Sequence, residues 1–250
     1  MLIDMHTHLW RGQEERNKKM FADIRRRYSV SRILVSSLAG FDSDADEISV
    51  LNDMTLAYMR EEPDFVSGYC YLNPRNPNTL EELNRRLDQG MVGVKLWVAT
   101  FCDDALVFPI VETCIRRSIP ILIHTFHKSD GQLPFESLGE NVAALARRYP
   151  QAKLIMAHMG ANVFRELPPI RGCKNVWADF SDSLAHADDL PYALELLGAD
   201  RILFGTDAPL VGFQVSYGQL LEAKLTDGEY QAIAWRNSQN LFFGGCHETI

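Results

Sequence analysis

The sequence predicts an α/β protein, a single-domain (β/α)8 TIM barrel running over residues 1–250. Three observations predict it. Short β-branched or apolar runs alternate with segments of helical periodicity, the pattern of parallel strands joined by helices. Eight such units in 250 residues match the length of about 250 residues that a closed barrel of this kind needs. No G-x-G-x-x-G follows the first run and no P-loop pattern occurs anywhere, so a doubly wound nucleotide fold is not indicated.

The elements can be taken in order. Residues 2–8 form the first strand and 14–28, rich in charge, the first helix; 32–37 is the second strand, followed by a helix over 44–61. Strand three covers 65–72 and its helix 78–89, and strand four is Val92-Gly93-Val94-Lys95-Leu96-Trp97. A helix over 104–117 leads to strand five at 120–124, and one over 135–149 leads to strand six at 153–158. Strands seven and eight fall at 175–180 and 201–205, with helices at 216–225 and 227–242 closing the chain.

Composition narrows the function classes. The formal net charge of −8 lacks the basic footprint of a nucleic-acid binder, and Arg25-Arg26-Arg27 reads as a solvated helix face. No run approaches the roughly 20 apolar residues of a membrane span, and the start of the chain does not have the form of a signal peptide, so a cytoplasmic protein is expected. Cys70, Cys102, Cys114, Cys173 and Cys246 include no C-x-x-C pair and read as reduced thiols filling core or surface. A small-molecule substrate and a homo-oligomer are the expected partners.

Function is signalled by where polar residues interrupt the strands. His6 and His8 lie two apart, so in an extended strand both imidazoles face one way about 7 Å apart along the axis, half of a metal site. Lys95 sits late in strand four, His124 ends strand five, His158 ends strand six, and Asp207 follows strand eight. In an α/β barrel these positions share one rim, the carboxyl ends of the strands, where function collects. Imidazole and carboxylate donors without thiolate suit Zn2+ or another first-row divalent ion, Mn2+ included.

This set resembles the amidohydrolase superfamily. The flanking stretches Ile3-Asp4-Met5-His6-Thr7-His8, Gly93-Val94-Lys95-Leu96, Leu203-Phe204-Gly205-Thr206-Asp207-Ala208-Pro209 and Asn237-Ser238-Gln239-Asn240-Leu241-Phe242 are most similar to the amidohydrolase-2 group, which includes aminocarboxymuconate-semialdehyde decarboxylase. The resemblance implies two arrangements. In the first, His6, His8 and Asp207 hold one ion, His124 and His158 a second, and Lys95, carboxylated by CO2, bridges them. In the second, His6, His8, His124 and Asp207 hold a single ion and His158 is free to act on water or substrate. An unmodified Lys95 is the rival to the carboxylated form.

A bound divalent ion lowers the pKa of its water to about 7 and polarises an adjacent oxygen, with Asp207 the natural proton carrier and His158 its alternate. The leading expectation is therefore hydrolysis of an amide, lactone or ester; non-oxidative decarboxylation of a small carboxylic acid is the alternative, and a non-catalytic metal-binding barrel a third. Trp97 is a candidate wall of the substrate pocket, and His127 and Lys128 candidates for an anionic group. His186 is expected near the rim, His247 has no expected role, and Asp179 and Asp182 read as partners of the ligands or as turn formers. Asp4 is expected to orient the ligands, because ligating imidazoles donate their second N–H to a partner.

Overall fold

A computed structural model describes residues 1–181 and 185–244; Asp182, Cys246 and His247 lie outside the described residues. Eight parallel strands run in sequence order: β1 (Ile3–Trp10), β2 (Arg32–Leu38), β3 (Val66–Leu72), β4 (Gly93–Leu96), β5 (Ile121–Ile123), β6 (Leu154–Met156), β7 (Val176–Asp179) and β8 (Ile202–Leu203). The segment after β8 returns to the first strand: Met5 N donates to Phe204 O at 3.0 Å and His8 N to Ala208 O at 2.8 Å. These bonds join the ends of the sheet into the (β/α)8 TIM barrel, a single domain.

Alternation along the strands sorts the core into two layers. Met5, Leu34, Tyr69, Leu122, Ile155 and Leu203 fill the barrel interior, while Ile33, Val35, Val94 and Ile121 face the surrounding helices. Gly93 has no Cβ because Tyr69 lies there; an added Cβ would meet its ring at 2.6 Å. Tyr69 can then cross the interior and donate to Met5 O at 2.7 Å.

The outer helices begin where local chemistry starts them. Helix α1 (Glu14–Tyr28) carries Glu14 and Glu15 in its first turn and three arginines in its last, matching the helix dipole. Within that cluster, Arg25 pairs with Glu62 at 3.2 Å and Arg26 with Asp23 at 2.8 Å. Helix α2 (Ala45–Glu61) is capped by Asp44, whose side chain accepts from Glu47 N at 2.9 Å. Helix α3 (Thr79–Asp88) is tied to α2 by the buried Arg86, which pairs with Glu82 of its own helix at 2.6 Å and donates through a terminal guanidinium nitrogen to the Ser49 carbonyl of α2 at 2.8 Å. Cys70, Cys102, Cys114 and Cys173 are buried free thiols. Among the described residues no helix is long and apolar enough to cross a membrane.

Three expectations of secondary structure need correction. The helix expected at 135–149 starts only at Gly139, as α5 in this numbering after α4 (Phe108–Arg117), because Glu136 and Ser137 are drawn inward by hydrogen bonds. The continuous helix expected at 227–242 is split by a π-helical turn at Ala232–Arg236, whose Ile233 carbonyl accepts from Phe204 N. Finally, β6 stops at Met156, so His158 lies in a turn beyond the strand.

Candidate metal centre

The carboxyl ends of the strands bring His6, His8, Lys95, His124, His158 and Asp207 into one cluster, buried except at His124, which is partly exposed. The imidazoles of His6 and His8 meet at 3.2 Å between their Nε2 atoms. Asp207 Oδ1 lies 2.9 Å from His8 Nε2 and 3.6 Å from His6 Nε2, and His6, His158 and Asp207 offer donor atoms within 4.8 Å of one another. On the other flank His158 Nε2 stands 3.3 Å from His124 Nδ1.

The outer nitrogens of these rings decide which way their lone pairs point. His6 Nδ1 faces the Asp179 carboxylate at 3.1 Å and Ser181 Oγ at 2.9 Å; His8 Nδ1 faces the Ser36 carbonyl at 3.2 Å and hydroxyl at 2.9 Å. The Ser181 carbonyl and hydroxyl likewise meet His158 Nδ1. Carbonyls and carboxylates only accept, so the proton of each neutral ring is drawn outward to Nδ1 and its Nε2 lone pair points into the site. Converging lone pairs repel unless a cation sits between them. A metal bonded to donors at about 2.1 Å separates them by roughly 3.0–3.4 Å, which the triangle of His6, His8 and Asp207 brackets. The donor set therefore fits a divalent ion.

Burial sets the proton states. It pushes His6 well below the usual imidazole range, lowers His124, and brings His158 to about 4, so these rings are neutral near pH 7. Burial also lowers Lys95 to about 8, against the pull of Asp207 and Asp179, so its neutral amine is within easy reach; Lys95 Nζ lies 3.0 Å from His6 Nε2. For Asp207, burial opposes ionisation, but its contacts with the neighbouring His8, His158 and His6 rings hold the carboxyl well below its ordinary range.

Two of the cluster's residues sit in the left-handed backbone region, His158 at φ 59° and Asp207 at φ 58°. Such a conformation costs on the order of 1–3 kcal/mol for a residue with a side chain and persists only where surroundings enforce it. Here His158 N donates to Asp179 Oδ1 at 3.2 Å and Asp207 N to His6 O at 2.8 Å. Gly205 allows the close approach: a Cβ on it would fall 2.9 Å from His6 Cβ and 3.3 Å from Asp179 Cβ.

Beside the cluster opens a cavity of about 440 Å³, walled by Phe41, Trp97, Phe126 and Leu133 and bearing Lys128, Glu136, His124, His158 and Asp207. Trp97 stands on this wall, with its ring centroid 4.9 Å from that of Phe41. His127 is not among the lining residues; its Nδ1 lies 3.1 Å from Glu166, and its neighbour Lys128 faces the cavity. His186 lines a separate surface depression with Leu190 and Gln219.

Asp4 acts otherwise than its spacing indicates. The β1–β2 register runs from Asp4↔Ile33 to Thr7↔Val35, three residues on one strand against two on the other, a bulge that breaks simple alternation. Asp4 accepts from the backbone N–H of His6 and Thr206 and from the Thr206 hydroxyl at 2.6 Å, so it fixes the backbone that carries the ligands. The partner of the His6 ring is Asp179. The sequence does not single out Ser36, Ser181 or Glu136; a ligating imidazole requires some outer acceptor, but nothing in the spacing says which residue supplies it.

The chain belongs to the amidohydrolase family: the family model matches residues 3–244. A gamma-resorcylate decarboxylase from Polaromonas sp. is 24% identical over 242 aligned positions, spanning 76% of this chain and 74% of that protein. The crystal structure of 5-carboxyvanillate decarboxylase from Sphingomonas paucimobilis matches with a TM-score of 0.79 at 15% identity, over 96% of this chain and 98% of that one. Dihydroxybenzoic acid decarboxylase from Polaromonas sp., solved with bound manganese and the inhibitor 2-nitroresorcinol, matches with a TM-score of 0.75 at 18% identity, over 96% of each chain. At these identities the structural likeness establishes the shared barrel.

Proposed function

We propose that this protein is a divalent-metal-dependent decarboxylase of a small aromatic carboxylic acid. The observation that carries the reading is the convergence of His6 Nε2, His8 Nε2 and Asp207 Oδ1 within 2.9–3.6 Å beside a cavity walled by Phe41, Trp97 and Phe126. Decarboxylases among the relatives move the balance from hydrolysis, which the sequence alone favours, to loss of CO2.

In this reading His6, His8 and Asp207 would hold the ion, Mn2+ or Zn2+, with His158 and His124 adjacent. When bound, the ion polarises the oxygens of the acid and lowers the pKa of coordinated water. The chain's own residues do the rest. Trp97, Phe41 and Phe126 offer apolar walls on which an aromatic ring can pack, and Lys128 brings a positive charge to the cavity for its anionic group. As the bond to the carboxyl carbon breaks, a proton must replace it on the ring, and Asp207 is placed to relay that proton. Asp207 is ionised at rest, so the proton comes from solvent water and stays on Asp207 only in transit to the ring carbon that loses CO2. His124 and His158 would hold a second ion, and Lys95, whose buried amine readily loses its proton, would add a carboxylate oxygen to the centre if it took up CO2 with release of a proton to solvent.

The test is turnover of hydroxybenzoates, with Mn2+ or Zn2+ present, followed by CO2 release, beside a panel of lactones, esters and N-acyl compounds. CO2 release from a hydroxybenzoate supports the proposal. Hydrolysis of the panel without CO2 release returns the hydrolase reading, and silence across both sets favours the non-catalytic barrel.

A further inference from the structure

The segment between β5 and α5 carries a buried carboxylate that the chemistry above does not use. Glu136 is 2% exposed and has five polar contacts. Its Oε1 accepts from His124 Nε2 at 2.8 Å and Lys128 Nζ at 2.8 Å; its Oε2 accepts from Lys128 Nζ at 2.7 Å, Gln132 Nε2 at 2.8 Å and Leu133 N at 3.2 Å. A buried anion is stable only when its lone pairs are met in this way, and a lysine with two further donors keeps it ionised.

We infer that Glu136 is a positioning residue: it fixes the tautomer of His124, so that this ring presents its Nδ1 lone pair to the metal centre. The inference rests on the metal-centre reading given above. An ionised carboxylate has no proton to give, so the proton shared with His124 belongs to the ring's Nε2. A neutral imidazole carries one N–H, which leaves Nδ1 as an acceptor, and Nδ1 faces His158 Nε2 at 3.3 Å. His124 is thus set opposite to His6, His8 and His158, which have outward acceptors at Nδ1 instead. Phe126 lies parallel to the His124 ring, 7° between planes at 6.0 Å, and limits its rotation.

A loop anchor would need only Gln132 and the Leu133 backbone; the bond to His124 is what makes the carboxylate matter to the centre. Glu136→Gln keeps the shape but adds an N–H2 that can donate to His124 Nε2, which removes the preference for one tautomer.

The experiment reads the ring directly. In the metal-free full chain with 15N-labelled histidine, two-bond proton–nitrogen correlation should show His124 as the Nε2–H tautomer, its signals assigned by their loss in His124→Asn. Glu136→Gln should populate the Nδ1–H form and weaken Mn2+ binding, measured by calorimetry, by about 10–100-fold, the scale for losing such an outer partner. An Nδ1–H tautomer in the parent overturns the inference without recourse to any variant. An unchanged tautomer in folded Glu136→Gln does so as well, even if Mn2+ affinity falls. A parent that shows the Nε2–H form yet takes up no Mn2+ leaves the assignment of Glu136 standing and sinks the metal-centre reading.

Discussion

His6 and His8, two residues apart on β1, aim their Nε2 atoms at one another across 3.2 Å, each ring braced from behind by an acceptor at Nδ1. Two lone pairs held in opposition need a cation between them. Removing one should therefore show first in the metal: His8→Ala should lower bound Mn2+ or Zn2+ per chain, seen by elemental analysis, with turnover falling in proportion. Unchanged metal content in the variant would remove His8 from the ligand set.

Asp207 is expected to do more than hold the ion. Asp207→Asn keeps the shape and an oxygen for coordination but cannot carry a proton, so turnover should fall by about 100-fold or more when compared at equal metal content. Turnover within a few-fold of the parent would transfer the proton relay to His158, whose neutral ring lies in the same cluster.

Asp179 reaches the centre only through other residues. Its carboxylate accepts from the His6 ring, the His158 backbone and the Ser181 hydroxyl, and it does not line the cavity. Asp179→Asn should weaken Mn2+ binding by roughly 10–100-fold while leaving KM at saturating metal nearly unchanged. A change confined to KM would contradict this role.

Away from the centre, Glu82 predicts how acid unfolds the barrel. Burial opposes its ionisation, yet hydrogen bonds from Arg86, Arg85 and Asn52 bring its carboxyl below the ordinary glutamate value in the folded state. A depressed folded value means that its stabilisation is complete above the ordinary value and is lost as pH falls through the lower one. Glu82→Gln should lower Tm at pH 7 and lose less on acidification than the parent does. Parallel Tm–pH curves for the two proteins would contradict this.

Much of this architecture is legible in the sequence because it obeys a period. Leu34 and Ser36 face inward and Ile33 and Val35 outward as alternation requires, and His6, His8, Lys95, His124, His158 and Asp207 all follow from reading polar residues at the ends of apolar runs. What the period cannot show is where it is broken. The bulge after Asp4 passes the bracing of His6 to Asp179, the left-handed turn at His158 lies outside any strand pattern, and Glu136 comes to the centre from a loop that reads as the first turn of a helix. Each of these depends on contacts between distant segments, which local spacing does not encode.

In the proposed chemistry, turnover depends on a divalent ion held by His6, His8 and Asp207. Imidazole and carboxylate ligands must be deprotonated to bind, so a chelator near neutral pH should strip the ion without lasting damage. The most direct measurement follows metal content and CO2 release from 2,6-dihydroxybenzoate together as Mn2+ is titrated into chelated protein. Both should start near zero and rise in parallel to saturation. Full CO2 release from protein shown by elemental analysis to be free of metal would contradict it.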